Sequence, residues 1–146
     1  MGSDHGGFKL KEAVKAHLTA IGHEVVDVGT HTETSSDYPE FGRKAAELVA
    51  AGTCERGIVI CSTGIGISIS ANKVRGVRAA LCTDVFTARL TREHNDANVL
   101  AMGQYVVGEA LAIAITDTWL GTEFSGGERH RRRIDAISRI ESDGQT

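Results

Sequence analysis

The sequence predicts an α/β fold in which a parallel β-sheet lies between two layers of helices. Short apolar runs alternate along the chain with segments whose apolar residues recur every three or four positions. The run GIVIC, residues 57–61, is continuously apolar, which is typical of a strand covered on both faces. This alternation favours a parallel sheet with helices on both sides. The length of 146 residues, a single proline and the lack of any low-complexity stretch predict one domain, 1–146.

The amino-terminal part begins with residues 3–8 (SDHGGF), which resemble a strand end that turns into a helix. Only Met1 and Gly2 precede them, so either the recorded start is late or the first strand is unusually brief. A helix follows and ends at Gly22. Its buried face is predicted from three- and four-residue steps to comprise Leu10, Val14, Leu18 and Ile21.

Residues 24–29 (EVVDVG) are predicted to form the second strand. Asp37 then caps a second helix, with Pro39 in its first turn, that ends at Gly52. The apolar face of this helix comprises Phe41, Ala45 and Leu48. Residues 57–61 form the third strand, and residues 62–68 form a loop after it.

The carboxyl-terminal part repeats the alternation. Strands are predicted at 77–82 and 98–103, and helices at about 84–94, 109–120 and 130–141. The last helix carries Ile134, Ile137 and Ile140, and residues 142–146 form a frayed tail. The complete prediction is therefore a five-stranded parallel sheet.

Composition excludes several classes of protein. The net charge of −3 gives no general attraction to nucleic acid or membranes. No apolar run approaches the roughly 20 residues of a membrane helix, and no apolar signal segment is seen, which predicts a cytoplasmic location. Three widely spaced cysteines (Cys54, Cys61 and Cys82) argue against a disulfide framework or a zinc site and favour reduced thiols.

Cys61 marks the most informative stretch, CSTGIGISISANK, residues 61–73. Ligands of open parallel sheets bind beyond the carboxyl ends of the strands. Cys61 lies at such a strand end and is followed by a loop of small residues. The loop is neither a Walker motif nor a dinucleotide fingerprint, because no Gly-Lys-Ser/Thr follows and position 69 is Ile. On position alone Cys61 is either a packed thiol or a base beside an oxyanion cradle.

Five motifs in order carry a resemblance to a known family: SDHGGF, DYP, CSTGIGISISANK, REHNDANVL and GGERHRRR. Together they resemble B-type ribose-5-phosphate isomerases, of the RpiB/LacAB sugar-phosphate isomerase family, from residue 3 to about 140. The resemblance implies a Rossmann-like three-layer α/β/α sandwich and a homodimer or dimer of dimers. It also implies interconversion of an aldose and a ketose phosphate without a metal or organic cofactor.

The resemblance assigns roles at the carboxyl edge of the sheet. Cys61 matches the catalytic base, and Thr63 matches a residue near the transferred proton, although its hydroxyl could simply stabilise the turn. The backbone around the loop would stabilise the enediolate and bind substrate through Ser62, Gly64, Ile65, Gly66 and Ser68. The resemblance places Asp4 near the sugar hydroxyls, although an aspartate at this position could instead cap the next helix. It places His5 toward the phosphate and Tyr38 along one side of the site.

A second group of matches lies near the carboxyl terminus. His94 and Asn95 match the pair implied to open the furanose ring across the dimer interface, although a histidine at a helix end also commonly caps carbonyls. Arg129 and Arg133 stand four apart and can both grip one phosphate, with His130 assisting. Nucleic acid is disfavoured because the basic cluster is single and lacks aromatic residues between its charges.

Three departures from the family pattern leave the substrate open. Ser62 replaces a frequent glycine, Glu128 is an extra residue, and Tyr105 stands where many relatives carry an arginine. The first hypothesis is interconversion of ribose 5-phosphate and ribulose 5-phosphate, or of another short sugar phosphate such as tetrose or allose phosphate. The alternatives are an isomerase of free aldoses and a flavodoxin-like phosphate-binding module.

Overall fold

The computed structural model of the chain describes residues 1–143. In this range a four-stranded sheet is flanked by six α-helices. The strands are β1 (Gly2–Ser3), β2 (Gly57–Cys61), β3 (Ala79–Leu81) and β4 (Val99–Gly103). The helices are α1 (Phe8–Ala20), α2 (Tyr38–Ala50), α3 (Ile65–Ala71), α4 (Val85–Asn95), α5 (Glu109–Leu120) and α6 (Glu128–Asp143). Within the described part of the chain, none of these helices is both long and apolar enough to cross a membrane.

The sheet is parallel throughout, in the order β1-β2-β4-β3. The predicted strand at 24–29 is wrong as an assignment, so the count is four and not five. The segment still runs beside β1, where Val28 N donates to Met1 O at 2.9 Å and Thr30 N donates to Ser3 O at 2.8 Å. Because β1 has only two residues, it offers too little backbone for a regular ladder.

Most predicted helices are confirmed, and several details of the predicted helices and strands are corrected. Residues 65–68 of the predicted loop 62–68 belong to α3, and the predicted strand at 77–82 is shortened to 79–81. The last helix begins at Glu128 and runs to Asp143, so residues 142 and 143 of the predicted tail are helical and 144–146 lie outside the described residues. Ile21, predicted to lie on the buried face of the first helix, follows α1 and is exposed. Asp37 precedes α2 as predicted, but its side chain makes no capping hydrogen bond.

Two apolar clusters pack on opposite faces of the sheet, because successive side chains of a strand alternate. Ile58 and Ile60 of β2 face α1 and α5, whereas Val59 and Cys61 face α2 and α3. The chain after β1 therefore continues into α1 on one face of the sheet, whereas the chain after β2 continues into α3 on the opposite face. This arrangement opens a crevice between β1 and β2 at the carboxyl edge of the sheet, the usual ligand position in open α/β folds.

Candidate active site

Cys61 ends β2 at the floor of this crevice, and only 4% of its surface is exposed. The N–H of Gly64 donates to its Sγ at 3.1 Å. Gly64 has φ +78°, which favours glycine, and an added Cβ would lie 2.5 Å from the Leu81 side chain and 2.7 Å from the Met102 backbone. The loop is therefore folded back over its own thiol by a turn that only glycine fits.

The loop after Cys61 is fixed by its own polar side chains. Ile65 N donates to Thr63 Oγ1 at 3.3 Å, and Ser68 Oγ donates to Ile65 O at 2.7 Å. The turn-stabilising role considered for Thr63 is thus present. The hydroxyl is also exposed at the crevice, so it is placed where a substrate could reach it.

The segment after β4 holds the same loop from the other side, a contact that the sequence analysis missed. Gln104 N donates to Cys61 O and Tyr105 N to Ser62 O, each at 2.9 Å. A Cβ on Gly103 would lie 2.4 Å from the Thr63 backbone, so the two segments touch directly. Gly103, which ends the apolar run 98–103, was the one feature of the sequence that could have indicated this close contact. Tyr105, 75% exposed, consequently stands at the mouth of the crevice.

Asp4 and His5 lie in the turn after β1, directly against this loop. Asp4 is buried, and its Oδ1 accepts from Gly7 N at 3.1 Å, so it does cap the 3₁₀ turn at His5–Gly7. An added Cβ on Gly6 would lie 2.2 Å from Ser62 Oγ, which shows how closely the turn and the loop approach.

The His5 ring is held by Ser36, a second residue that the sequence analysis missed. Ser36 N donates to His5 Nδ1 at 3.1 Å, and His5 N donates to Ser36 Oγ at 3.2 Å. Nδ1 also lies 3.2 Å from the Ser36 carbonyl oxygen, so both backbone polar groups of Ser36 meet the same ring nitrogen.

Tyr38 begins α2 and closes one side of the crevice. Its ring packs on Gly66, where an added Cβ would lie 2.5 Å from the ring. The structure therefore brings most of the predicted carboxyl-edge residues together around one crevice: Asp4, His5, Tyr38, Cys61, Ser62, Thr63, Gly64, Ile65, Gly66 and Ser68.

The second predicted group lies elsewhere in the same chain. The His94 and His130 rings stack with centroids 4.3 Å apart, and Arg129 and Arg133 flank them on α6. α4 leaves the carboxyl edge after β3 and ends at Asn95, whose carbonyl accepts from Nε of Arg78, the residue before β3, at 2.9 Å. This histidine–arginine cluster (His94, Asn95, Arg129, His130 and Arg133) thus lies at the amino edge, opposite Cys61.

Comparison with known proteins agrees with the motifs and the geometry. The family model described as Ribose/Galactose Isomerase matches residues 1–137. Ribose-5-phosphate isomerase B of Escherichia coli K12 is 50% identical over 140 residues, covering 96% of this chain and 93% of that protein. Galactose-6-phosphate isomerase subunit LacB of Clostridium acetobutylicum is 41% identical, covering 96% of this chain and 81% of that protein.

Solved structures give the same result. Ribose-5-phosphate isomerase B of Clostridium thermocellum has a TM-score of 0.97 and 57% identity, covering 99% of this chain and 97% of that chain. The Mycoplasma genitalium enzyme with bound ribulose-5-phosphate has a TM-score of 0.92 and 41% identity, covering 99% and 95%. Motifs, crevice and relatives agree, and the chain belongs to the ribose/galactose isomerase family.

Proposed function

We propose that this chain interconverts ribose 5-phosphate and ribulose 5-phosphate, with Cys61 as the base. One observation carries the proposal: a buried thiol at the carboxyl end of β2 accepts a backbone N–H at 3.1 Å inside the crevice. An N–H directed at sulfur stabilises negative charge there. The relatives named ribose-5-phosphate isomerase B, among them proteins at 57%, 50% and 42% identity, support the same reaction.

The chemistry follows from the position of the thiolate. Cys61 takes the proton from C2 of the open-chain aldose, and the electron pair moves into a C1–C2 double bond as the carbonyl oxygen at C1 becomes the enediolate oxygen. Backbone N–H groups of residues 62–66 stabilise that developing charge. The Cys61 thiol then returns a proton to C1 while the O2 proton is lost, and a ketone forms at C2. The Thr63 hydroxyl, in the same loop, transfers the proton lost from O2 to O1.

The phosphate is anchored by arginines of α6. Arg129 and Arg133 are exposed, and Arg133 makes no salt bridge with any other described residue. Two guanidinium groups four residues apart suit a single phosphate dianion. His5, which borders the crevice, completes the anion site in this proposal.

The active site is completed by a second copy of the chain. Within one chain the histidine–arginine cluster and Cys61 lie at opposite edges of the sheet, so a homodimer is needed to combine them. The exposed apolar face of α6 supports this assembly, because Ile137 and Ile140 face solvent in the monomer and Ile140 is 72% exposed. Each dimer would contain two composite sites, and a dimer of dimers remains compatible with this arrangement.

A second candidate is the same reaction on another sugar phosphate. The 41% identity to a galactose-6-phosphate isomerase subunit and the Tyr105 side chain at the crevice mouth support this alternative. A free-aldose isomerase would not need the paired arginines, and a phosphate-binding module would not need Cys61. The cytoplasmic location stays a prediction.

A panel of substrates separates these functions. Initial rates are measured in chelator with ribose 5-phosphate, allose 6-phosphate, galactose 6-phosphate, free ribose and free allose. We expect ribose 5-phosphate to give the highest kcat/KM and chelator to change nothing. Faster turnover of free sugars, or loss of activity in chelator, would overturn the proposal; a preference for a hexose phosphate would select the second candidate.

A further inference from the structure

His94 and His130 form an unusually close pair that the reaction scheme does not use in full. Their ring planes are 9° from parallel, with centroids 4.3 Å apart, so one imidazole lies flat on the other. His94 lies in the last turn of α4 and His130 in the first turns of α6. The stack therefore ties together two helices that otherwise touch little.

The environment of His130 is better suited to supporting a neighbouring side chain than to binding a ligand directly. His130 is 7% exposed. Gly127 packs against its ring, because a Cβ added to this glycine would lie 3.1 Å from His130 Cδ2. Arg129 Nε donates to His130 Nε2 at 3.4 Å, which occupies that nitrogen. His94 is half-buried and therefore more exposed than His130.

The charged groups that face His130 all favour a neutral ring. Burial lowers the pKa of His130, and the positive potentials of His94 on α4 and of Arg129 and Arg133 on α6 lower it further. The segment between α5 and α6 contacts it through the uncharged Gly127. A neutral imidazole whose Nε2 accepts a hydrogen bond carries its proton on Nδ1.

We infer that His130 is a positioning residue that holds the His94 ring flat for opening of the furanose ring of the substrate. This inference rests on the proposed function and on the ring-opening role that the family resemblance implies for His94. Ring opening moves a proton from the anomeric hydroxyl to His94 and delivers a proton to the ring oxygen, so the imidazole must keep one orientation toward both atoms. The stacked face of His130 fixes the ring plane, and the edge of His94 stays free to exchange protons.

Two variants separate the stack from the hydrogen bond to Arg129. His130→Phe keeps a flat ring but removes the acceptor, whereas His130→Gln keeps an acceptor but removes the flat ring. With ribose 5-phosphate we expect kcat to fall no more than about threefold in His130→Phe and roughly ten- to a hundredfold in His130→Gln, with KM little changed in both. Circular dichroism and size-exclusion chromatography show that each variant is folded and assembled like the wild type.

A second readout isolates the ring-opening step. Ribulose 5-phosphate has its 5-hydroxyl esterified and cannot form a furanose, so exchange of its C1 proton with D₂O needs only the Cys61 chemistry. We expect His130→Gln to lower net isomerisation of ribose 5-phosphate at least tenfold more than it lowers this exchange, which is followed by NMR.

The outcomes that overturn the inference are distinct. Activity kept in His130→Gln but lost in His130→Phe would assign His130 to anchoring Arg129. Equal activity in both variants would show that the stack has no role, and an equal loss of exchange and isomerisation would make the residue a general structural or phosphate-binding one. A wild-type protein without ribose 5-phosphate isomerase activity would refute the proposed function instead.

Discussion

Asp27 holds the segment beside β1 in place through a buried ion pair, and its removal is the sharpest test of how that segment is anchored. Its Oδ2 accepts from Lys11 Nζ and from Lys15 Nζ, each at 2.7 Å. Lys11 is 0% exposed and also donates to Thr30 O at 2.8 Å. This contact fixes the chain that leads on to Ser36 and the crevice. The perturbation is Asp27→Asn, which keeps the shape of the side chain and removes its charge.

The magnitude follows from the pKa of Asp27. Burial alone would raise it, but hydrogen bonds from Lys11, Lys15 and Gly29 N lower it from 3.8 to about 2. Nearly two pKa units correspond to about 2 kcal/mol of folding free energy. Because the folded-state pKa lies below the unfolded value, this stabilisation is present above 3.8 and is lost as pH falls toward 2.

Urea unfolding of both proteins at neutral pH and at about pH 3 provides the assay. We expect Asp27→Asn to lower the free energy of unfolding by about 2 kcal/mol at neutral pH and the difference to shrink in acid. Glu33→Gln is the matched control, because the Lys9–Glu33 pair at 3.2 Å is exposed and contributes less than about 1 kcal/mol. Equal effects of the two substitutions, or a difference that does not shrink in acid, would refute the reasoning.

Three further predictions concern the substrate and the assembly. Arg133→Ala should lower kcat/KM for ribose 5-phosphate by one to two powers of ten, since a charge-assisted hydrogen bond contributes roughly 1.5–3 kcal/mol, and should leave free ribose unaffected; Arg132→Ala is the control. Mixed Cys61→Ala and His94→Ala chains should regain activity through one intact site per heterodimer, and no recovery after subunit exchange would exclude the composite site. Tyr105→Arg should lower KM for ribose 5-phosphate by adding a phosphate ligand where many relatives carry an arginine, and an unchanged or higher KM would show that this position does not contact the phosphate.

The strand 57–61 and the small-residue turn directly after it were predictable because local features decide them. The apolar run 57–61 is buried on both faces, and Gly64 is needed for a left-handed turn over Cys61. Residues 65–68 were mispredicted as loop because the alternating isoleucines and serines of segment 65–71 resemble a loop or strand. Burial of Ile67 and Ala71, four residues apart, against α2 makes it helical. That spacing was the missed signal.

The remaining errors concern contacts between distant parts of the chain. Residues 24–29 have the composition of a strand, but their pairing is limited by the two residues of β1. Ser36 meets His5 across 31 positions and Gln104 accepts from Leu10 N across 94. Neither residue has a local pattern that marks such a partner. The position of the histidine–arginine cluster at the amino edge likewise depends on the path of α4.

Turnover by Cys61→Ala tests the central claim most directly. The kcat for ribose 5-phosphate is compared with that of the wild type and of Cys54→Ala, a half-buried thiol outside the crevice. Binding is followed separately by the shift in Tm that ribose 5-phosphate produces. The account predicts that Cys61→Ala keeps the ligand-induced shift and loses on the order of 10² to 10⁴ in kcat, while Cys54→Ala turns over normally. A folded Cys61→Ala protein with kcat near that of the wild type would show that another group removes the proton.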